Sequence, residues 1–176
     1  MVLLIIGMVL AVFIATVLGL AAARPDVMRI ERSATLRAAP GAIFAHLNDF
    51  QLWNAWSPWE KLDPAMRKTF SGAALGLGAV YEWEGNSKAG KGRMEVTESE
   101  APSKVVIQLD VLKPFKASNV TAFTLAQKGD STELTWAMSG RSPFMAKVMG
   151  LFINMDKLVG KDFERGLENL RSVVEK

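Results

Sequence analysis

The chain contains no cysteine, one histidine (His46) and one tyrosine (Tyr81), and no charged residue precedes Arg24. The lack of cysteine excludes disulfides and, with a lone histidine, excludes the nitrogen–sulfur ligand sets of zinc sites. No carboxylate cluster suited to a hard cation stands out, so we expect no metal and no cofactor. His46 could serve as a general base, but a histidine without a spacing partner is more often packed or at the surface.

Charge is confined to the part of the chain after residue 23. The 21 Lys and Arg and the 18 Asp and Glu give a net charge of +3 without any clustered basic run. Binding to nucleic acid usually leaves a clustered basic footprint, so we expect no nucleic-acid partner.

Residues 1–23 are apolar throughout, which is long enough for a helix to cross a bilayer core of roughly 30 Å. A cleaved signal peptide is the alternative, with Ala21 and Ala23 suited to a cleavage site. The length of the run, and the absence of a basic residue before it, favour a transmembrane anchor. The arginines that follow favour a cytoplasmic location for the remaining domain, residues 27–174: Arg24, Arg29, Arg32 and Arg37.

The remainder predicts an α+β fold. Alternating apolar residues indicate a strand at 28–36, and short amphipathic helices follow between residues 39 and 59. About six further strands are predicted, at 66–70, 79–84, 91–98, 104–112, 116–127 and 131–139. Helices clustered on one face of an antiparallel sheet are typical of the α+β class.

The chain ends in one long predicted helix, from Ser142 to Val173. Apolar residues recur every three or four positions, and Ser142 followed by a proline suits a helix start, so we expect a helix of about 45 Å. Asp156 falls in the middle of this apolar stripe. It is interpreted either as the polar group of a cavity or as one half of an ion pair with an inward basic residue such as Arg93.

Three features together resemble a known family. They are the element Trp53-x-x-Trp56-Ser57-Pro58-Trp59, the strand Tyr81-Glu82-Trp83 and the long terminal helix. They resemble the polyketide cyclase/dehydrase branch of the SRPBCC superfamily, which has START-like, helix-grip domains, over residues 29–173. The resemblance implies a curved antiparallel sheet of about seven strands wrapped around the C-terminal helix, with a cavity for a small hydrophobic molecule between them. It implies no universal catalytic residue.

The predicted cavity lining is aromatic and methionine-rich, as small-molecule sites often are. The candidates, each of which has plain core packing as its alternative interpretation, are Trp53, Trp56, Trp59, Tyr81, Trp83, Trp136, Met138, Phe152, Met155 and Asp156. Asn119-Val120-Thr121 fits a glycosylation sequon, but it lies within a predicted strand and carries no weight.

Three functions remain open from the sequence. The first is a membrane-tethered module that binds a small hydrophobic or lipid-like molecule without catalysis. The second is a cyclase- or dehydratase-type enzyme that uses Asp156 with His46 or Tyr81 for proton transfer, which would require two groups converging on one reacting centre. The third is an interaction protein whose own side chains fill the cavity.

Overall fold

The computed structural model describes residues 1–176. Four α-helices, one 3₁₀ helix and seven strands follow one another along the chain. The helices are α1 (Val2–Ala22), α2 (Pro40–Asn48), the 3₁₀ helix (Phe50–Ala55), α3 (Phe144–Phe152) and α4 (Met155–Val174). The strands are β1 (Val27–Leu36), β2 (Arg67–Gly72), β3 (Ala79–Glu84), β4 (Lys91–Glu100), β5 (Lys104–Lys113), β6 (Ala117–Lys128) and β7 (Ser131–Arg141).

Helix α1 stands out from the rest of the chain. Its 21 residues have a mean hydropathy of 2.9, so by length and composition it fits a membrane anchor or a signal sequence. Every residue of α1 is exposed except Val17 and Ala21, which lie one turn apart near its end. Helix α3 packs against α1 there. The apolar surface of α1 is therefore almost entirely free of contacts within the protein.

The seven strands form one antiparallel sheet in the order β1-β7-β6-β5-β4-β3-β2. Strands β2 to β7 are joined in sequence as hairpins, and β1 closes the other edge by pairing with β7. A register shift in β4, between Val96 and Glu98, bends the sheet locally, as β-bulges do. The helix-grip α+β architecture and the sheet of about seven strands predicted above are thus confirmed.

Side chains on the concave face of the sheet form rows that cross the strands. One row, which we call the distal row, consists of Arg32, Trp136, Phe123 and Val105. The next row toward α1, the middle row, consists of Ile30, Met138, Thr121, Ile107 and Val96. The proximal row follows and consists of Met28, Gly140, Asn119, Leu109, Met94, Tyr81 and Phe70. The rim row is nearest to the α1 end and consists of Val111, Gly92, Trp83 and Lys68.

Helices close the distal part of this face, and in the proximal row Phe50 of the 3₁₀ helix covers Tyr81. Helix α2 lies over β5 and β6, and its backbone carbonyls accept hydrogen bonds from two indoles of the following segment. Trp53 Nε1 donates to Leu47 O, and Trp56 Nε1 donates to His46 O, each at 3.2 Å. These bonds fix both tryptophans to α2, so the short helices and the sheet share one core.

The predicted continuous C-terminal helix is wrong in one respect. Ile153 and Asn154 have extended backbones and separate α3 from α4. Asn154 Oδ1 accepts a hydrogen bond from the backbone N–H of Lys157 at 3.0 Å, which caps the start of α4. The apolar period runs through the break without a gap, so periodicity alone could not reveal it. Ser142 does not cap α3, because Pro143 occupies the N-cap position.

The connection between α1 and the sheet is short and is fixed by a hydrogen bond and an ion pair. Only residues 23–26 separate α1 from β1. The carbonyl of Asp26 accepts a hydrogen bond from the N–H of Ser142 at 2.8 Å, and its carboxylate pairs with Lys147 Nζ at 2.6 Å. This contact with Lys147 holds the pKa of Asp26 below its usual range. The start of β1 and the start of α3 are therefore fastened together beside the end of α1.

Candidate functional site

The distal half of the concave face is filled by aromatic rings. Trp136 stacks on Phe163 of α4 with ring centroids 4.1 Å apart and planes 7° from parallel. The rings of Phe123 and Trp56 lie 4.9 Å and 5.7 Å from that of Trp136. Close approach of α4 depends on Gly166, where a Cβ would lie 2.8 Å from Cζ3 of Trp136. This half is a packed core.

The predicted aromatic lining therefore divides into two groups. Trp53, Trp56 and Trp136 are almost fully buried in the distal core, and half-buried Trp59 packs edge-on against Trp136. Tyr81 and Trp83 lie further toward the β2 edge. There Phe70 stacks on Tyr81, and the Trp83 indole lies across Gly92 and donates to the Ala89 carbonyl. The two groups meet through Phe50, which contacts both Trp53 and Tyr81.

The proximal half of the concave face is more open. Met28 and Leu109 of the proximal row and Val111 and Trp83 of the rim row are only half-buried. Met94 and Met138 line the same region and are more deeply buried. Antiparallel pairing brings four strand termini to the same end of the sheet: the start of β1, the end of β7, the start of β6 and the end of β5. The open half therefore faces the end of the domain from which α1 emerges.

Two polar residues lie in the middle of this apolar surface. Asn119 and Thr121 point inward from β6 and are only 8% and 5% exposed. The side-chain hydrogen bonds of β6 involve Ser118 and Gln127, and neither Asn119 nor Thr121 takes part in one. The amide of Asn119 lies against Gly140, where any side chain would displace it. An apolar site with a few fixed polar groups is typical of small-molecule recognition.

Sequence reasoning passed over these two residues. They stood out only as a glycosylation motif, which was set aside because it lies within a predicted strand. The sequence signal that could have identified them is their spacing, i and i+2, which places both on the inward face of β6 beside apolar residues such as Phe123. Polar side chains at inward positions normally have a partner, so two without one make this surface a candidate site.

A buried polar chain borders the open half near the β2 edge. Tyr81 Oη donates to Glu60 Oε1 at 2.8 Å, and Lys68 Nζ pairs with the other carboxylate oxygen. Burial, with the adjacent Glu60 carboxylate, raises the pKa of Tyr81 well above its usual value. At neutral pH the phenol therefore stays protonated and acts as a hydrogen-bond donor.

The last three predicted lining residues lie elsewhere. Phe152 ends α3 and Met155 begins α4, and both are exposed instead of covering the aromatic rings. Asp156 lies over the β1 edge, where its carboxylate accepts hydrogen bonds from Arg32 at 3.0 and 3.1 Å. The partner of Asp156 is Arg32 and not Arg93, whose guanidinium pairs with Glu95 at 2.8 Å.

Arg32 is fully engaged in this arrangement. Besides Asp156 it binds Glu164 through Nε at 2.8 Å, and it packs against Gly160, the residue of α4 that leaves room for it. These hydrogen bonds hold the pKa of Asp156 below its ordinary value. Since Asp156 is paired at one edge of the sheet and Tyr81 lies near the other, the predicted acid/base combination of these two is not assembled. His46 is on α2, with a sealed Nδ1 that has no hydrogen-bond partner.

A groove of about 1060 Å³ lies beside the end of α1. Its lining includes Val120 of the convex face, and Phe144 and Lys147 of α3. It also includes Asn119 and Gly140 of the proximal row, so the groove borders the open half of the concave face.

The sheet, the curved concave face and the closing C-terminal helix define a helix-grip protein. The chain belongs to the family described as polyketide cyclase/dehydrase and lipid transport, which it matches over residues 28–175. This confirms the resemblance found in the sequence. A comparison with curated proteins found no match.

Solved structures share this fold at low sequence identity. Protein CV1439 from Chromobacterium violaceum is 15% identical, with a TM-score of 0.59, over 86% of this chain and 99% of that one. Protein MLL2253 from Mesorhizobium loti is 16% identical, with a TM-score of 0.62, over 84% and 97%. The di-domain ARO/CYC BexL from the BE-7585A biosynthetic pathway is 13% identical, with a TM-score of 0.64, over 90% of this chain and 53% of that one.

Proposed function

We propose that the protein is a membrane-tethered module that binds a small hydrophobic or lipid-like molecule. Residues 1–23 are its anchor and residues 27–174 its START-like binding domain. The ligand lies in the open half of the concave face, between the sheet and the C-terminal helix. The observation that carries this proposal is the pair of unpartnered polar residues, Asn119 and Thr121, set among methionine, leucine and tryptophan side chains.

The chemistry of this surface matches an amphiphilic molecule. Apolar contacts with Met94, Leu109 and Met138 supply most of the binding free energy, since burial contributes about 25 cal/mol per Å² of apolar surface. Asn119 and Thr121 orient one polar group of the ligand by hydrogen bonds. Because the open half faces the end from which α1 emerges, the ligand exchanges directly with the bilayer.

Native mass spectrometry of the full-length protein extracted in detergent tests the proposal. We expect a co-purifying apolar molecule that is lost in Thr121→Trp, where an indole fills the site, and in Leu109→Trp. Val120→Trp is the matched control, because it adds the same volume to the convex face of the same strand. Circular dichroism confirms that each variant is folded.

The outcomes separate the possible sites. A wild-type protein that never carries an apolar molecule would contradict the binding function. Loss of the molecule in Val120→Trp but not in Thr121→Trp would place it in the groove beside the end of α1 instead.

A second candidate function is a cyclase- or dehydratase-type enzyme. The observation that favours it is the chain Tyr81–Glu60–Lys68, which places a protonated phenol and a buried carboxylate at the border of the open half. Tyr81→Phe should then abolish cyclisation of a small poly-β-ketone while leaving its binding unchanged. Equal conversion by wild type and variant would exclude this role for Tyr81.

A further inference from the structure

We propose that α3 is a lipid-contacting helix that lies in the interfacial region of the same bilayer that holds α1. This inference rests on the membrane anchor of the proposed function. Its occupant is the phospholipid surface around α1, and its contact surface is the outward face of α3, formed by Met145, Met149 and Phe152.

The most exposed face of α3 is apolar, unlike that of a surface helix in a water-soluble domain. Its covered side carries Lys147, only 8% exposed, beside half-buried Val148, Gly150 and Leu151. Its outward side carries Met145 and Phe152, which are 67% and 70% exposed. Water-exposed helices normally present polar residues outward and apolar residues inward. A contiguous apolar face of this kind marks an interaction surface.

The position of α3 identifies what covers this face. Helix α3 packs against the end of α1, where Val17 and Ala21 are the covered residues. The apolar face of α3 is therefore continuous with the apolar surface of a helix that is otherwise surrounded by lipid. Apolar residues continue past Phe152 through Ile153 and Met155, both at least 40% exposed.

Charge around the patch suits the headgroups of anionic lipids. Arg24 lies over Gly150, and Lys157 and Lys161 project from the first turns of α4. The acidic residues near them are all paired with basic ones: Asp26 with Lys147, Asp156 and Glu164 with Arg32, and Asp162 with Arg165. Basic residues next to an apolar face are the pattern of interfacial helices, which lie with that face about 5–10 Å below the headgroups.

The absence of native cysteine allows a direct test in the full-length protein. Single-cysteine variants Met149→Cys and Phe152→Cys are labelled with an environment-sensitive fluorophore and reconstituted in vesicles of equal parts phosphatidylcholine and phosphatidylglycerol. Val9→Cys reports on the middle of α1. Leu75→Cys is the matched control, because it is an exposed apolar residue in the β2–β3 loop at the opposite end of the sheet.

We expect blue-shifted emission at residues 149 and 152, with strong quenching by lipids labelled near the headgroup and weaker quenching by lipids labelled deep in the chain. Val9 should show the reverse depth preference, and Leu75 should show no lipid quenching. Quenching at Val9 without quenching at 149 and 152 would overturn the role of α3 while leaving the anchor intact. No quenching at Val9 would instead refute the anchor itself.

A blue shift at 149 and 152 without lipid quenching would also overturn the proposal, because a protein surface would then cover α3. Disulfide formation between Phe152→Cys chains in the vesicles would identify that surface as a second copy.

Discussion

The two halves of the concave face differ in the surroundings of the polar atoms that have no hydrogen-bond partner. In the distal half, α2, the 3₁₀ helix and α4 seal the aromatic core so tightly that His46 Nδ1 and Trp136 Nε1 have no partner. In the proximal half, Asn119 also lacks a partner within the protein, but its cross-strand neighbours Gly140 and Leu109 are only half-buried. Thr121, likewise without a partner, lies one row deeper between Met138 and Ile107. Unpaired atoms sealed in a core are a cost of packing, whereas unpaired side chains beside an open surface are available to a ligand. One face thus combines a structural half and the proposed binding half.

The largest loss of stability is expected when an aromatic ring is removed from the distal half. Trp136→Ala removes the ring that contacts Phe163, Phe123 and Trp56, so unfolding should become easier by about 3–5 kcal/mol. Trp136→Phe should cost less, because it keeps a ring against Phe163 and leaves a smaller cavity. Urea titration of the full-length protein in detergent, followed by circular dichroism, measures both. Equal losses in the two variants would show that a six-membered ring at this position contributes nothing to the packing of the core.

The next effect concerns the contact between α4 and the sheet. Gly166→Ala gains up to about 1 kcal/mol of helix propensity, but its Cβ collides with Trp136, and overpacking typically costs about 1–3 kcal/mol. We therefore expect a net loss of stability in the same urea titration. Gly41→Ala in α2 is the control, because no atom lies within 4 Å of the added Cβ, and it should be stabilising. A stabilising Gly166→Ala would mean that α4 can shift without cost.

In the proximal half, substitutions should change binding more than stability. Asn119→Leu and Thr121→Val remove polar groups that have no partner, so folding should be unaffected or slightly improved. Loss of a hydrogen bond worth about 0.5–1.5 kcal/mol should weaken binding of the co-purifying molecule by up to about tenfold. Competition with a fluorescent fatty acid, together with thermal unfolding, measures both quantities. Unchanged affinity with reduced stability would assign the two residues to the core.

The smallest effect is expected from the sealed imidazole of the distal half. Burial lowers the pKa of His46, so the folded protein disfavours the protonated form. The unfolded chain takes up this proton near pH 6.5, so stability should fall as pH drops just below that value and level off below the folded-state pKa. His46→Gln should remove this slope from the melting temperature measured between pH 7.5 and 5. An unchanged slope would assign it to other groups.

The sheet was predictable because alternation is a local property of the sequence. The strand from Ser131, for example, places Leu134, Trp136 and Met138 on one buried face, as its alternation indicates. Aromatic clustering was predictable for the same reason, since Trp53 and Trp56 are neighbours in the chain. Their division into a sealed core and an open half was not, because it depends on how far α4 extends over the sheet.

Pairings between distant segments lay outside what local patterns contain. Asp156 was expected to need a partner, and it has one, but the choice of Arg32 over Arg93 follows from the edge of the sheet on which α4 lies. The helix break had a weak local signal, Asn154 as an N-cap, within an uninterrupted apolar period. The apolar residues of this period were also expected to pack against the sheet. In the structure those of α3, such as Met145, Met149 and Phe152, are exposed instead.

The brief connection after α1 limits the freedom of the whole domain. Residues 23–26 extend at most about 14 Å, and Asp26 is already fixed by Ser142 and Lys147. With α1 in a bilayer, this connection would be too short for the domain to rotate freely or to move away from the membrane surface. In the proposed tethered arrangement, its open half would face the adjacent leaflet continually, at a local lipid concentration that does not depend on the volume of the compartment. Delivery to a partner would then require that partner to reach the same membrane surface, so any exchange is confined to two dimensions.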